Sequence, residues 1–203
     1  MAARAPEDDA GTAARILDVA ERLVQVRGFN GFSYADIAAE LGITKAALHY
    51  HFAGKADLGE ALISRYASRF AAALAGVDAL AAGASVRLSG YADLYLQVLS
   101  NRKMCLCGML AAEYQTLPQP MQDAVVRFFD QNESWLEQVL DQGRDDGSLQ
   151  FSGSARDTAR LIIGSLEGAM LVARPYGDVE RFRAAAASLL AGFSRPAAQP
   201  AVA

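Results

Sequence analysis

SYADIAAELGITKAALHYHFAGK, residues 33–55, is the stretch that decides the fold. Ser33 stands where a helix N-cap belongs, and Asp36 three residues on completes an approximate capping box, with Asp in place of Glu. Ile37 and Leu41 form an i, i+4 apolar pair. Gly42 then breaks the helix, Thr44 can cap the next one, and KAALHYHF follows. Two short helices joined by so brief a connection, opened by glycine, make a helix-turn-helix by spacing alone.

Upstream, TAARILDVAERLVQVRG carries Ile16, Val19, Ala20, Leu23 and Val24 on one helical face, with Thr12 as an N-cap and Gly28 as a stop. The turn FNGFS leads into the pair. Downstream, the chain reads as helix almost throughout. KADLGEALISRYASRFAAAL places Leu58, Leu62, Tyr66 and Phe70 four apart, and VDALAAGA loosens that pattern. Further helices are expected near 85–100, from about Cys105, over roughly 25 residues after Pro118 and Pro120, at 156–174 and at 179–193. No segment reads as a strand or a repeat. The fold class is all-α: a three-helix head over residues 12–56 and a larger helical domain over 57–195. A polar arm (1–11) and a Pro/Ala tail (196–203) are read as disordered.

Composition narrows the function. Of 203 residues 52% are hydrophobic, enough for a sizeable core. The formal net charge is −4, so no global basic field points to nucleic acid. The charge is uneven, however. Residues 1–60 hold six Lys/Arg against nine Asp/Glu, yet from Gly42 to Ala56 there are two lysines, two histidines and no acid. Phosphate binding depends on local contacts, so that small basic island suits a docked recognition helix. No run of about 18 apolar residues would span a membrane. Two cysteines are too few for a disulfide scaffold, and the N-terminus lacks a signal-peptide core, so a cytoplasmic location is expected.

Both histidines of the chain, His49 and His51, lie in the second helix of the pair. Residues i and i+2 of a helix point about 200° apart, so they cannot grip one metal together. Neither a zinc-spaced partner nor a nucleophile motif such as G-x-S-x-G accompanies them. No metal, cofactor or enzymatic activity is expected.

Residues 12–58 resemble the DNA-binding head of the TetR family of bacterial transcriptional regulators. The resemblance rests on the Gly28-Phe29 break, on DIAAELGIT, and on Leu48-His49-Tyr50-His51-Phe52 with Lys55 three residues later. It implies a dimeric repressor that leaves a pseudo-palindromic, double-stranded operator when an effector binds. The alternative is a helical binding module that no longer reads DNA. Leu48 and Phe52 are expected to face the core. Lys45, Ala46 and His49 would reach base edges, Lys45 donating to guanine and Ala46 touching a thymine methyl. Thr44, Ala47, Tyr50, His51, Ser33 and Tyr34 fall where the family makes phosphate or flanking contacts. Lys55 matches the family's lysine at the start of the fourth helix, where ammonium and helix N-terminus would share a phosphate. His49 departs from the family's usual tyrosine, so the base read there can differ, and a protonated ring would tighten binding as pH falls.

NRKMCLCGMLAAE, residues 101–113, resembles a segment of electrophile- or oxidant-responsive members, with Cys105-Leu106 followed by Leu110-Ala111-Ala112-Glu113. Cys105 follows Arg102 and Lys103 at a helix start, which favours thiolate. It is therefore a candidate sensor, or else a small packing residue. Cys105 and Cys107 diverge in a helix and cannot pair. By the same resemblance Tyr66, Phe70, Tyr91, Tyr95, Met109, Tyr114, Phe128 and Trp135 are candidates to line an effector pocket. Leu161, Gly164, Gly168, Leu171, Leu189 and Leu190 would form a homodimer interface across the last two helices. Leu166 adds apolar area beside them.

Overall fold

The computed structural model describes residues 6–80 and 83–193, with side chains described from residue 11. Its elements are α1 (Pro6–Arg27), α2 (Tyr34–Leu41), α3 (Lys45–His51), α4 (Lys55–Leu80), α5 (Ala84–Ser100), α6 (Leu106–Ala112), α7 (Gln119–Asp145), α8 (Ala155–Ala173) and α9 (Val179–Ala191). Short 3-10 turns follow α6 and α8, at Tyr114–Thr116 and Arg174–Tyr176. The all-α class holds, and no β-strand occurs among the described residues.

Helix limits differ from expectation in two places. α1 starts at Pro6, so Thr12 lies inside it and is buried rather than capping it. α4 runs on through VDAL to Leu80, because alanine there favours helix even where the apolar pattern fades. Of the arm read as disordered (1–11), residues 6–11 belong to α1 and correct that reading, while residues 1–5 and the tail 196–203 lie outside the described residues.

The chain forms two compact units. The first comprises Met1–Phe70 with Lys103–Phe128, the second Ala71–Arg102 with Phe129–Ala203. Residues 57–70 and 103–128 thus group with the helix-turn-helix, and the division does not fall at residue 56. In the first unit Ile16, Ala20, Leu23, Val24, Ile37, Leu48, Leu58 and Leu62 are all buried. In the second, Leu88, Tyr91, Leu136, Leu140, Ile162, Leu166, Met170 and Phe182 make the core.

Candidate nucleic-acid interface and effector-responsive residues

α2 and α3 are set by local bonds. The Asp36 carboxylate accepts from the Ser33 N–H (2.7 Å) and hydroxyl (2.6 Å), and those bonds hold it below the usual carboxylate range. Gly42 ends α2 at φ 66°, where a Cβ would be strained, and Ile43 N–H reaches back to Ala38 O. Thr44 Oγ1 accepts from Ala47 N–H at 3.1 Å, and Leu48, fully buried, anchors α3. This leaves Thr44, Lys45, Ala46, His49 and Tyr50 exposed, while Ala47 and His51 are half-buried. Tyr50 is 75% exposed, far more than a core aromatic tolerates.

His49 is held, not loose. Its Nδ1 sits 2.9 Å from Ala53 O, and its ring lies 4.8 Å from that of Tyr34. A carbonyl only accepts, so Nδ1 carries the proton and Nε2 is left to meet an outside group. Phe52 differs from expectation: α3 ends at His51, Phe52 turns extended (φ −136°), and its side chain is half-buried instead of facing the core.

Lys55 is corrected more sharply. Its ammonium donates to Phe29 O and to Phe32 O (2.5 Å) and lies over both rings, 4.6 and 4.2 Å from their centroids. Burial pulls it below its ordinary value, partly opposed by Glu113 and Asp36. An ammonium so engaged is a strut for the α1–α2 turn, not an open phosphate ligand. The α4 start is also taken, since Gly54 N–H donates to Asp57 at 2.7 Å. Tyr34 turns inward too: its hydroxyl lies 2.7 Å from Gly54 O and 3.0 Å from Phe52 O, and burial together with Asp57 pushes it up to about 12.

Five of the nine acidic side chains of residues 1–60 are engaged in bonds within the first unit. Arg65 pairs with Asp18 (2.8 Å) and Glu21 (3.0 Å), Arg69 with Glu21, and Arg22 with Glu40. Asp36 and Asp57 serve as caps.

The candidate effector residues fall into two groups, one in each unit. In the first unit Tyr66, Phe70 and Phe128 form a ring cluster with centroids 5.3–6.2 Å apart. Cys105, 1% exposed, is the N-cap of α6: its Sγ accepts from Gly108 N–H (3.4 Å) and from the Tyr66 hydroxyl (3.7 Å). Cys107 is equally buried, and Met109 and Tyr114 are half-exposed. In the second unit Trp135 stacks on Tyr91 at 5.7 Å, and the Tyr91 hydroxyl lies 3.3 Å from the Tyr95 hydroxyl and 3.2 Å from Asn132 Oδ1. Trp135 donates to Asp78 at 2.9 Å. Asn132, 2% exposed, was missed by the sequence reading. Its signal was a polar residue at the four-residue spacing of Phe128 and Leu136, on an otherwise apolar face.

α8 has two apolar faces. Leu166, with Ile162 and Met170, is core, which corrects its assignment to the surface. Leu161 (54% exposed), Leu171 (60%) and Val172 (61%) project opposite, and a Cβ at Gly164 or Gly168 would meet open space. On α9, Leu189 and Leu190 are half-buried. No helix of the described residues is long and apolar enough to cross a membrane.

The chain is similar in sequence and fold to known proteins. The family described as bacterial regulatory proteins, tetR family, matches residues 16–62, and the tetracyclin repressor-like C-terminal domain matches residues 84–189. A TetR-family transcriptional regulator from Agrobacterium tumefaciens is 32% identical and superposes with a TM-score of 0.89, covering 92% of this chain and 100% of that one. The reduced form of Escherichia coli NemR is 26% identical with a TM-score of 0.78, covering 92% and 99%. The transcriptional regulator TtgR of Pseudomonas putida is 40% identical over 63 residues, 31% of this chain. That match spans only 30% of the length of TtgR.

Proposed function

Because the chain belongs to the tetR family of bacterial regulatory proteins, we propose that it is a cytoplasmic DNA-binding transcriptional regulator, a homodimeric repressor released from its operator by an effector. The observation that carries this reading is α3: a capped helix anchored by Leu48, free of acidic residues in its own sequence, presenting Lys45, Ala46, His49 and Tyr50 outward. Lys45 donates to guanine O6 or N7, and Ala46 fits a thymine methyl. With Nδ1 on Ala53 O, a neutral His49 offers Nε2 as an acceptor, which suits a base amino group. Thr44, Ala47, Tyr50, His51 and Ser33 supply flanking contacts.

One head makes few phosphate contacts, and pairing two across a two-fold axis sums them. The outer face of α8, with Leu161, Gly164, Gly168, Leu171 and Val172, supports that pairing, with Leu189 and Leu190 of α9 at its side. The effector is a small molecule or a thiol-reactive compound. Tyr66, a member of the Tyr66, Phe70 and Phe128 cluster, meets the thiol-reactive candidate, Cys105, and Tyr91, Tyr95, Trp135 and Asn132 offer a second aromatic and polar group. Since Cys105 is 1% exposed, its modification requires the packing around the start of α6 to open. Reaction and displacement would then be coupled events.

The test is a fluorescence-anisotropy titration on the intergenic DNA beside the protein's own gene, across a salt series. Tight binding whose logarithm falls steeply with log salt is expected. Salt-independent or absent binding, with the protein a monomer in sedimentation at micromolar concentration, would overturn the proposal.

A further inference from the structure

The turn between α1 and α2 is bound from two sides. Glu113, just past α6, accepts from Phe29 N–H at 2.6 Å and from Asn30 N–H at 3.3 Å to each carboxylate oxygen. The Asn30 amide donates to Thr116 Oγ1 (2.7 Å), whose own proton goes to the Glu113 carbonyl (2.8 Å). Opposite, Lys55 takes the carbonyls of Phe29 and Phe32. Gly28 makes room for this. Its φ is 86°, and a Cβ there would lie 2.7 Å from Glu113 Oε1. The other end of α6 is also tied to α1, through Met104 N–H to Gln25 O at 3.1 Å. The two attachments bracket the last turn of α1, and Cys105, the N-cap of α6, adjoins Met104 at the second of them.

Phe29 is four residues before Ser33, the N-cap of α2, so a shift of the Phe29 peptide passes directly into the helix pair. We propose that Glu113 is the positioning residue through which α6 sets the pose of α2 and α3. It acts through backbone amides and touches no DNA. A carboxylate is suited to this, because one anionic group collects two adjacent N–H donors and follows any displacement of its own backbone. Lys55 then acts as the fixed jaw and Glu113 as the moving one. The inference rests on the regulator reading, since it names the route by which that reading's effector would reach the DNA.

The experiment is a double-mutant cycle on the full chain, with Cys105→Met as a built-in perturbation of α6 and Glu113→Gln as the cut. Amide resonances of Phe29, Asn30, Lys45 and Ala46 are followed by NMR, and operator affinity by anisotropy. Glu113→Gln alone should move the Phe29 and Asn30 amide protons upfield, as the charged acceptor is lost. Cys105→Met should shift the α3 amides and weaken operator binding about tenfold when Glu113 is present, and less than about threefold in the Glu113→Gln background. Cys105→Ala serves the same purpose if the larger side chain prevents folding. Equal shifts and equal losses in both backgrounds would overturn the proposal, and a role confined to stability would lower the melting temperature while leaving the cycle additive. Coupled amide shifts without DNA binding would reject the regulator reading and keep the clamp. Steep salt-dependent binding with an additive cycle would do the reverse.

Discussion

Lys45 and Lys55 stand ten residues apart in one basic island, and the fold puts them to opposite uses. Lys45 opens α3 with its side chain exposed. Lys55 opens α4 with its ammonium against two carbonyls and two aromatic rings. The same residue type, at the same place in a helix, is left open to solvent in one case and braces the fold in the other. Position in a motif therefore does not fix a role. What decides is whether backbone acceptors from a neighbouring segment reach the ammonium first.

Lys45→Ala is the largest test of that contrast. Loss of a base contact is worth about 1–3 kcal/mol of operator affinity. It should relax sequence preference at one position while leaving the melting temperature unchanged. Competition titrations with single-base operator variants would read it, and equal weakening on operator and random DNA would place Lys45 on phosphate instead.

Lys55→Met should show the opposite pattern. Leaving two buried carbonyls without their charged donor costs about 2 kcal/mol of stability, a fall of about 4–8 °C in melting temperature for a chain of this size. The salt slope of DNA binding should not change. Lys55 is held below 10.5 in the fold, so the unfolded chain binds the proton more tightly. The cost of burying its charge is present at lower pH and is relieved as pH climbs toward 10.5. The deficit of the variant should therefore widen with pH over that range. A reduced salt slope with unchanged melting would return Lys55 to the phosphate backbone.

The smallest effect belongs to Tyr34. Its hydroxyl is pushed up to about 12, from an ordinary value of 10.0. Stability that depends on that proton is complete below pH 10 and is lost as pH rises from 10 toward 12, because the unfolded chain releases it first. Urea unfolding free energy across this window should fall more steeply for the native sequence than for Tyr34→Phe. Parallel curves would mean that the hydroxyl contributes nothing through its proton.

What was legible in the sequence is what depends on near neighbours. Asp36 three residues from Ser33, Gly42 and Thr44 marked the two short helices, and their bonds span at most five residues. The spacing of Leu58, Leu62, Tyr66 and Phe70 marked a buried face of α4 in the same way. Lys55 was assigned by resemblance, and its actual acceptors are backbone carbonyls 26 and 23 residues upstream, which leave no mark in side-chain pattern. Glu113 stood in a recognisable motif, yet its partners are amides 84 and 83 residues away. Asn132 was readable as a polar break in an apolar stripe. α8 was readable only in part: with leucines on both sides, periodicity could not separate core-facing Leu166 from exposed Leu161 and Leu171.

The Phe29 peptide bears on how this head could be transplanted. Its N–H ends on Glu113 and its carbonyl on Lys55, and Phe29 itself is 5% exposed. A fragment cut after α4, or a chimera joining residues 1–60 to a foreign effector domain, would keep the lysine and lose the carboxylate. The amide would then lose its charged acceptor, and the turn one of its two anchors, unless the new host brought an anion to the same spot. The reading head is thus not a portable cassette, and a successful graft has to carry residues 103–116 along with it.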